Sequence, residues 1–304
     1  MKMAFNNPFE MDGRWFKGNL HAHTTNSDGD VPTEQLVKEY QEAGYDFLSI
    51  TDHGKLTKIQ GLSTPRFLLI PGEEISAGAS EEGRFYHIVG VDIGGKIPVK
   101  DFDRDEDPQR VIELIRGLGG LALIAHPYWS SLNYSDLARL EGYIGVEVYN
   151  TNCELTIGRG RSTVHWDNLL SMGHRCLGFA VDDAHGRERP YLPSDICGAW
   201  INVRADRLTP ESIWGAICRG LFYSSNGPEI YAIEIEGDEI RVASSPARSI
   251  GFISNAALGE KNTAEEGVIE EAVYRLMGGE RYVRVEVIDQ KGRTAWSNPI
   301  FIEI

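Results

Sequence analysis

The sequence predicts an α/β protein, a barrel of parallel strands over residues 1–228 followed by a small antiparallel β domain over residues 229–304. Three observations predict it. From Gly18 to about Val203, short apolar runs alternate with amphipathic stretches, the rhythm of strand then helix in a parallel sheet. Ser225-Asn226-Gly227-Pro228 is a strong breaker, and beyond it the pattern becomes alternating, as in Tyr282-Val283-Arg284-Val285-Glu286-Val287.

Barrel strands are expected at Lys17 to Ala22, Tyr45 to Thr51, Phe67 to Pro71, Leu121 to Ala125, Gly145 to Tyr149, Cys176 to Val181 and Gly198 to Val203. A hairpin strand fits at Phe85 to Val91. Between them, Thr33 is placed to cap Glu34 to Ala43, which Gly44 ends, and Pro108 opens Gln109 to Leu118 before Gly119-Gly120. Thr209-Pro210-Glu211 opens a further helix ending near Gly220. In the tail, runs at Ile230 to Glu236, Ile250 to Ser254, Tyr282 to Ile288 and Pro299 to Ile304 suit an antiparallel unit. With no Pro/Ser-rich linker, the two parts are expected to be docked rather than tethered.

The chain has 304 residues, 41% hydrophobic and 25% charged, values of an ordinary globular protein with a full core. Its formal charge of −15 repels a nucleic-acid backbone or an anionic membrane as an extended partner, while leaving room for a small anion held locally. The first residues lack the apolar run of a signal peptide, and no stretch has the length of a membrane span, so a cytoplasmic protein is expected. Cys153, Cys176, Cys197 and Cys218 form no Cys-x-x-Cys pair and are expected to be reduced, buried small hydrophobes.

Chemistry concentrates at the C-terminal ends of the expected strands, where parallel barrels gather functional groups. His21-Ala22-His23 places two imidazoles on one face of a strand, since residues i and i+2 point the same way. Asp183-Ala184-His185 repeats the device. Asp52-His53, Glu73 and His126 close three more strands. A cluster of His, Asp and Glu without cysteine suits borderline divalent metals such as zinc, manganese or iron. His87 in the hairpin and Asp28 in the loop after the His pair are further candidates.

Read in order as HAHTTNSDG, ITDHG, PGEE, HIVGV, AHP and DDAH, these motifs resemble the PHP (polymerase and histidinol phosphatase) superfamily over residues 17 to about 228. The resemblance implies a distorted (β/α)7 barrel of the PHP type and a centre of two or three divalent ions. By analogy, His21, His23, Glu73 and Asp183 hold the first ion, and Glu73 bridges to a second held by His87 and His126. Asp28, His53 and His185 bind a third. WFKGNLHAHT together with a β tail ending AWSNPIFI looks like the subgroup of carbaryl-hydrolase-like proteins.

What the resemblance implies is a metal-dependent phosphoesterase acting on a small anionic phosphate ester or nucleotide-like substrate. Bound cations outweigh the three carboxylates, and a water between the metals would supply hydroxide for in-line attack. Glu73, Asp183, His126 and Asp52 are the expected catalytic groups, Asp52 as support for its neighbour or as a proton shuttle. Arg159, Arg161, Arg187 and Arg189 lie in strand-end loops, with Arg161 and Arg187 preferred for the substrate. The same centre would equally attack a carbamate, carboxylic ester or amide, for which Tyr128, Trp129, Tyr149 and Trp166 offer apolar surface. A reading of another class is a non-catalytic metal-binding module. The sequence leaves the oligomeric state open.

Overall fold

Strands with inward and outward faces both apolar must be covered on both sides, and the first half of the chain supplies helices to do so. The structure, a computed structural model, describes residues 2–187 and 190–303. After β1 (Lys2–Ala4) and β2 (Arg14–Asn19), the chain alternates through α1 (Thr33–Glu42), β3 (Phe47–Ile50), β4 (Leu68–Ala77), β5 (Tyr86–Val91), α2 (Pro108–Gly117) and β6 (Leu121–Ile124). It continues with α3 (Tyr134–Ala138), β7 (Gly145–Asn150), α4 (Thr151–Ile157), α5 (Thr163–Ser171), β8 (Leu177–Val181), β9 (Trp200–Ala205), α6 (Pro210–Cys218) and β10 (Phe222–Ser225). All-β structure follows in β11 (Ile230–Glu236), β12 (Glu239–Ala247), β13 (Ser249–Ile253), β14 (Gly259–Thr263), β15 (Ile269–Arg275), β16 (Tyr282–Ile288), β17 (Thr294–Ser297) and β18 (Ile300–Glu303).

The result is a mixed α/β fold with one large sheet and a second, three-stranded antiparallel sheet, β11-β12-β15. Along the large sheet the order is β1-β18-β16-β17-β10-β9-β2-β3-β4-β5-β6-β7-β8. The expectation of seven parallel strands needs correcting. Parallel ladders join β2 to β3, β3 to β4, β6 to β7 and β7 to β8, and β5, the expected hairpin strand, is antiparallel to both neighbours; the strand that departs is β9, antiparallel to β2. Connection length sets the direction of β5, because β4 and β5 are joined by a short hairpin that cannot cross over. Among the described residues no ladder closes the sheet. A single parallel bridge, Ala22 to Ala184, links the segments that follow β2 and β8.

Two apolar layers hold this part together. Phe16, Phe47, Leu68, Ile70, Val89, Val91, Leu123, Phe179, Val181 and Ile201 form one cluster, and Val111, Ile112 and Ile115 of α2 pack with Ile88, Ala122 and Ile124 in another. Asp107 caps α2, its side chain accepting from the Gln109 N–H at 3.0 Å, and Pro108 takes the first turn where no N–H is needed. Thr209 caps α6 in the same way. Thr33, by contrast, lies inside α1, whose cap position is Pro32 without a side-chain bond.

The expected boundary at residue 228 falls between β10 and β11, yet β10 pairs with β17 on one side and β9 on the other, and β1 pairs with β18. Packing crosses the same line: Tyr149 stacks on Trp296 at 5.7 Å, and Arg284 grips Asp167 of α5. Cys153 and Cys176 are buried as expected, while Cys218 is exposed. No helix among the described residues is long and apolar enough to cross a membrane.

Candidate metal centre

Beyond β2 and β8 the two continuations run side by side: the His23 N–H donates to the Ala184 carbonyl at 2.8 Å and the Asp183 N–H to the His21 carbonyl at 3.0 Å. Ala22 and Ala184 sit in an outer core with Leu36 and Tyr40. Residues on either side of each alanine therefore turn the other way, and His21, His23 and Asp183 meet. Gly29 lets the following loop press onto this segment, since a Cβ there would stand 2.7 Å from the His23 carbonyl.

His21 Nε2 lies 3.0 Å from His23 Nε2, 3.2 Å from a Glu74 Oε2 and 3.3 Å from an Asp183 oxygen. His23 Nε2 is 3.1 Å from the same Glu74 and Asp183 oxygens. A divalent ion about 2.1 Å from each donor separates its ligands by about 3.0–3.4 Å, so these spacings are those of one coordination shell. Two imidazole nitrogens facing each other at 3.0 Å, with carboxylates between, fit a divalent cation.

Glu74, not Glu73, is the shared carboxylate. Its Oε2 is also 3.2 Å from His53 Nε2, while Oε1 is 2.9 Å from His87 Nδ1 and 3.5 Å from His126 Nε2. Glu73 faces the opposite side of β4, where Oε2 accepts from the Ile97 N–H at 2.8 Å and burial lifts its pKa to about 7. The strand pleat is the cause, because Leu68 and Ile70 share the inner layer with even-numbered positions. A third group joins His23, Asp28 and His53. Asp28 is 3.2 Å from His185 Nε2, whose Nδ1 meets the Asp183 carbonyl at 2.8 Å. Six of the chain's eight histidines thus share this cleft, which isolated strand packing does not explain.

Electrostatics couple these groups. Burial alone lowers an imidazole, but hydrogen bonds from the His23 ring to the Asp183 and Glu74 carboxylates outweigh it and raise His23 to about 9. His21 is raised well above its ordinary value against the same burial, by Asp183, Glu74 and Glu147. Burial works to raise the Glu74 carboxyl, yet His53, His21 and His87 hold it well below the usual range, and Asp183 behaves likewise. His87 is lowered, chiefly by burial.

Buried polar groups behind the cluster fix its geometry. Glu147 of β7 stands 2.6 Å from His21 Nδ1 and accepts from the His126 N–H at 2.8 Å. Asn150 binds both Glu147, at 2.9 Å, and Asp183, at 3.3 Å. Asp195 receives the N–H groups of His185 and Gly186. His126 and Asp183 hold φ of +26° and +53°, left-handed values that side chains rarely adopt and that cost about 1–3 kcal/mol each. Asp52 does not reach the cluster. It is consumed by the Thr24 N–H at 2.7 Å and the hydroxyls of Thr24, Ser27 and Thr57, so it braces the loop after His23 rather than acting on substrate.

Above the cluster opens a cleft of about 730 Å³, bordered by Arg84, Arg104, Arg159, Arg187 and by Phe85, Phe102 and Trp129. Arg187 reaches Asp28 at 3.0 Å. Arg161 instead turns to Glu154 and to Gly292 and Thr294 of the tail, so it does not border the cleft, and Arg189 lies outside the described residues. Of the aromatic candidates only Trp129 is at the site. Trp166 is buried and donates to the Cys176 carbonyl, and Tyr149 packs on Trp296. Arg84, Arg104 and Glu147 carried no motif in the sequence, although an acid inside the apolar run Gly145-Val146-Glu147-Val148 is itself a signal.

No family model matches the chain. DNA polymerase/3'-5' exonuclease PolX of Bacillus subtilis is 29% identical over 99 residues, which are 33% of this chain and 17% of that protein. The chain thus matches about a sixth of that relative's length. A solved two-domain protein containing a predicted PHP-like metal-dependent phosphoesterase, from Bacteroides vulgatus, superposes with a TM-score of 0.50 over 91% of both chains at 17% identity. A structure described as a candidate metal-dependent phosphoesterase from Bifidobacterium adolescentis gives 0.44 at 16% identity, over 67% of this chain and 96% of that one. The likeness to the Bacteroides vulgatus protein is one of fold, and the His, Asp and Glu cluster described above is suited to a metal ion.

Proposed function

We propose that the protein is a metal-dependent phosphoesterase acting on a small anionic phosphate ester. The observation that carries this reading is Glu74, whose one oxygen faces His21, His23 and His53 while the other faces His87 and His126. A carboxylate shared in this way suits two neighbouring cations. The chemistry such ions would supply there is polarisation of a phosphoryl oxygen and acidification of water toward neutral pH. His21, His23, Glu74 and Asp183 would hold the first ion, and Glu74 with His53, His87 and His126 a second. His23, Asp28, His53 and His185 offer donors for a third.

The chain's own residues supply the remaining needs. Glu147 keeps a proton on His21 Nδ1, leaving Nε2 free as a donor. Arg84, Arg104, Arg159 and Arg187 bring positive charge to a protein of net charge −15, which selects an anion at this cleft over the rest of the surface. Manganese- and zinc-reconstituted protein, tested on phosphomonoesters, phosphodiesters, carboxylic esters and carbamates, is expected to favour phosphoesters and to lose turnover in His21→Ala. Preference for a carboxylic ester or carbamate, or undiminished turnover in the variant, contradicts the reading.

A further inference from the structure

Phe102 and Trp129 are large, apolar and half-exposed, at 52% and 40% of their surface, and both stand directly over the donor cluster. The Phe102 ring lies 5.1 Å from that of His53, and Trp129 lies 5.0 Å from His126. His87 has both of them edge-on, Phe102 at 6.2 Å and 81° and Trp129 at 5.6 Å and 82°. Phe85 meets Phe102 at 5.6 Å and 86°, and the Arg104 guanidinium lies 4.5 Å from the centroid of the Phe85 ring. The backbone is held in an unfavourable form to achieve this: Phe102 has φ +56°, and Asp101 pins the turn by accepting from the N–H groups of Ser76 and Phe102. Neither ring is needed by the core, and each exposes apolar surface to water that a ligand would cover.

We infer that these rings form a binding subsite for a planar aromatic or heteroaromatic leaving group, seated against Phe102 and Trp129 while its phosphate meets the cluster below. This rests on the phosphoester reading for the scissile group but on separate residues for the ring. Offset stacking and edge contacts favour an aromatic ring over a saturated ring of similar size. Arg104 and Arg159 at the rim suit an electron-rich or anionic ring substituent.

The test compares benzyl phosphate with cyclohexylmethyl phosphate, whose leaving alcohols are both primary and differ in the ring rather than in the bond broken. Metal-loaded wild type is expected to favour benzyl phosphate by roughly tenfold in kcat/KM, mostly through KM, and both Phe102→Leu and Trp129→Leu to bring the ratio toward unity. Binding of benzylphosphonate and cyclohexylmethylphosphonate, measured by calorimetry, separates the two readings. If neither ester is turned over but benzylphosphonate binds tighter, with the preference lost in Phe102→Leu, the hydrolase reading fails and the ring subsite stands. Equal kcat/KM and equal binding of the two rings, or a preference untouched by either substitution, overturns the subsite.

Discussion

The Glu147 carboxylate lies 2.6 Å from His21 Nδ1, on the edge of the imidazole opposite the Nε2 that faces His23. This pairing sets the tautomer and the tilt of the ring, and Glu147 fixes the His126 backbone as well. Glu147→Gln keeps shape but weakens the acceptor, and loss of such support commonly costs 10–100-fold in metal affinity. Titration against a chelating indicator is expected to show a fall of about that size, with the fold intact by circular dichroism.

Protons and metal compete at His21 and His23. Both imidazoles have raised pKa values, to about 9 for His23, so below that pH a cation must displace protons to bind. Affinity should therefore climb as pH rises toward 9, and calorimetry in buffers of different ionisation enthalpy should register proton release. The metal-free fold behaves in the opposite sense. A raised histidine contributes stability that is full below its unfolded value of 6.5 and lost as pH rises through about 9. Melting of metal-free protein followed across this window checks the sign.

Arg284 is 2% exposed at its side chain and binds Asp167 through two short bonds, 2.7 and 2.6 Å, with Glu286 on its third nitrogen and Trp166 5.1 Å below. It ties β16 to α5. Asp167→Ala leaves the buried guanidinium with Glu286 alone and should cost about 3 kcal/mol, the lower end for breaking a buried pair because Glu286 remains and Asp167 is partly exposed. Denaturant unfolding measures the loss, and turnover per folded molecule should stay unchanged because the pair is remote from the cleft.

Much of the site was legible as strand-end polarity, and the pleat explains what was not. Phe179, Val181 and Asp183 share one parity, as do Val89 and His87, so apolar inward positions lead to the donors. The same rule applied to Leu68 and Ile70 leads to Glu74 and away from Glu73. His21 and His126 break the rule, since Phe16 and Leu20 point inward before the one and Leu123 and Ala125 before the other; the bend at Leu20 and the His126 φ of +26° supply turns that parity cannot foresee. Strand direction follows the expectation from β2 through β8, the antiparallel β5 being the expected hairpin strand, and departs at β9, whose long approach from β8 carries no periodic trace of direction. The paths of Arg161 and Arg104 depend on loop packing, which leaves no periodic trace.

One pair of variants tests the centre most directly: metal content and phosphoester turnover of Glu74→Gln beside Glu73→Gln. Glu74→Gln removes the charge that faces five imidazoles and should lose at least one bound ion per chain, with turnover down by roughly a hundredfold or more. Glu73→Gln should keep both metal and turnover, because that side chain binds the Ile97 backbone on the other face of β4. Metal loss and inactivity in Glu73→Gln, with Glu74→Gln fully loaded and active, would contradict the account.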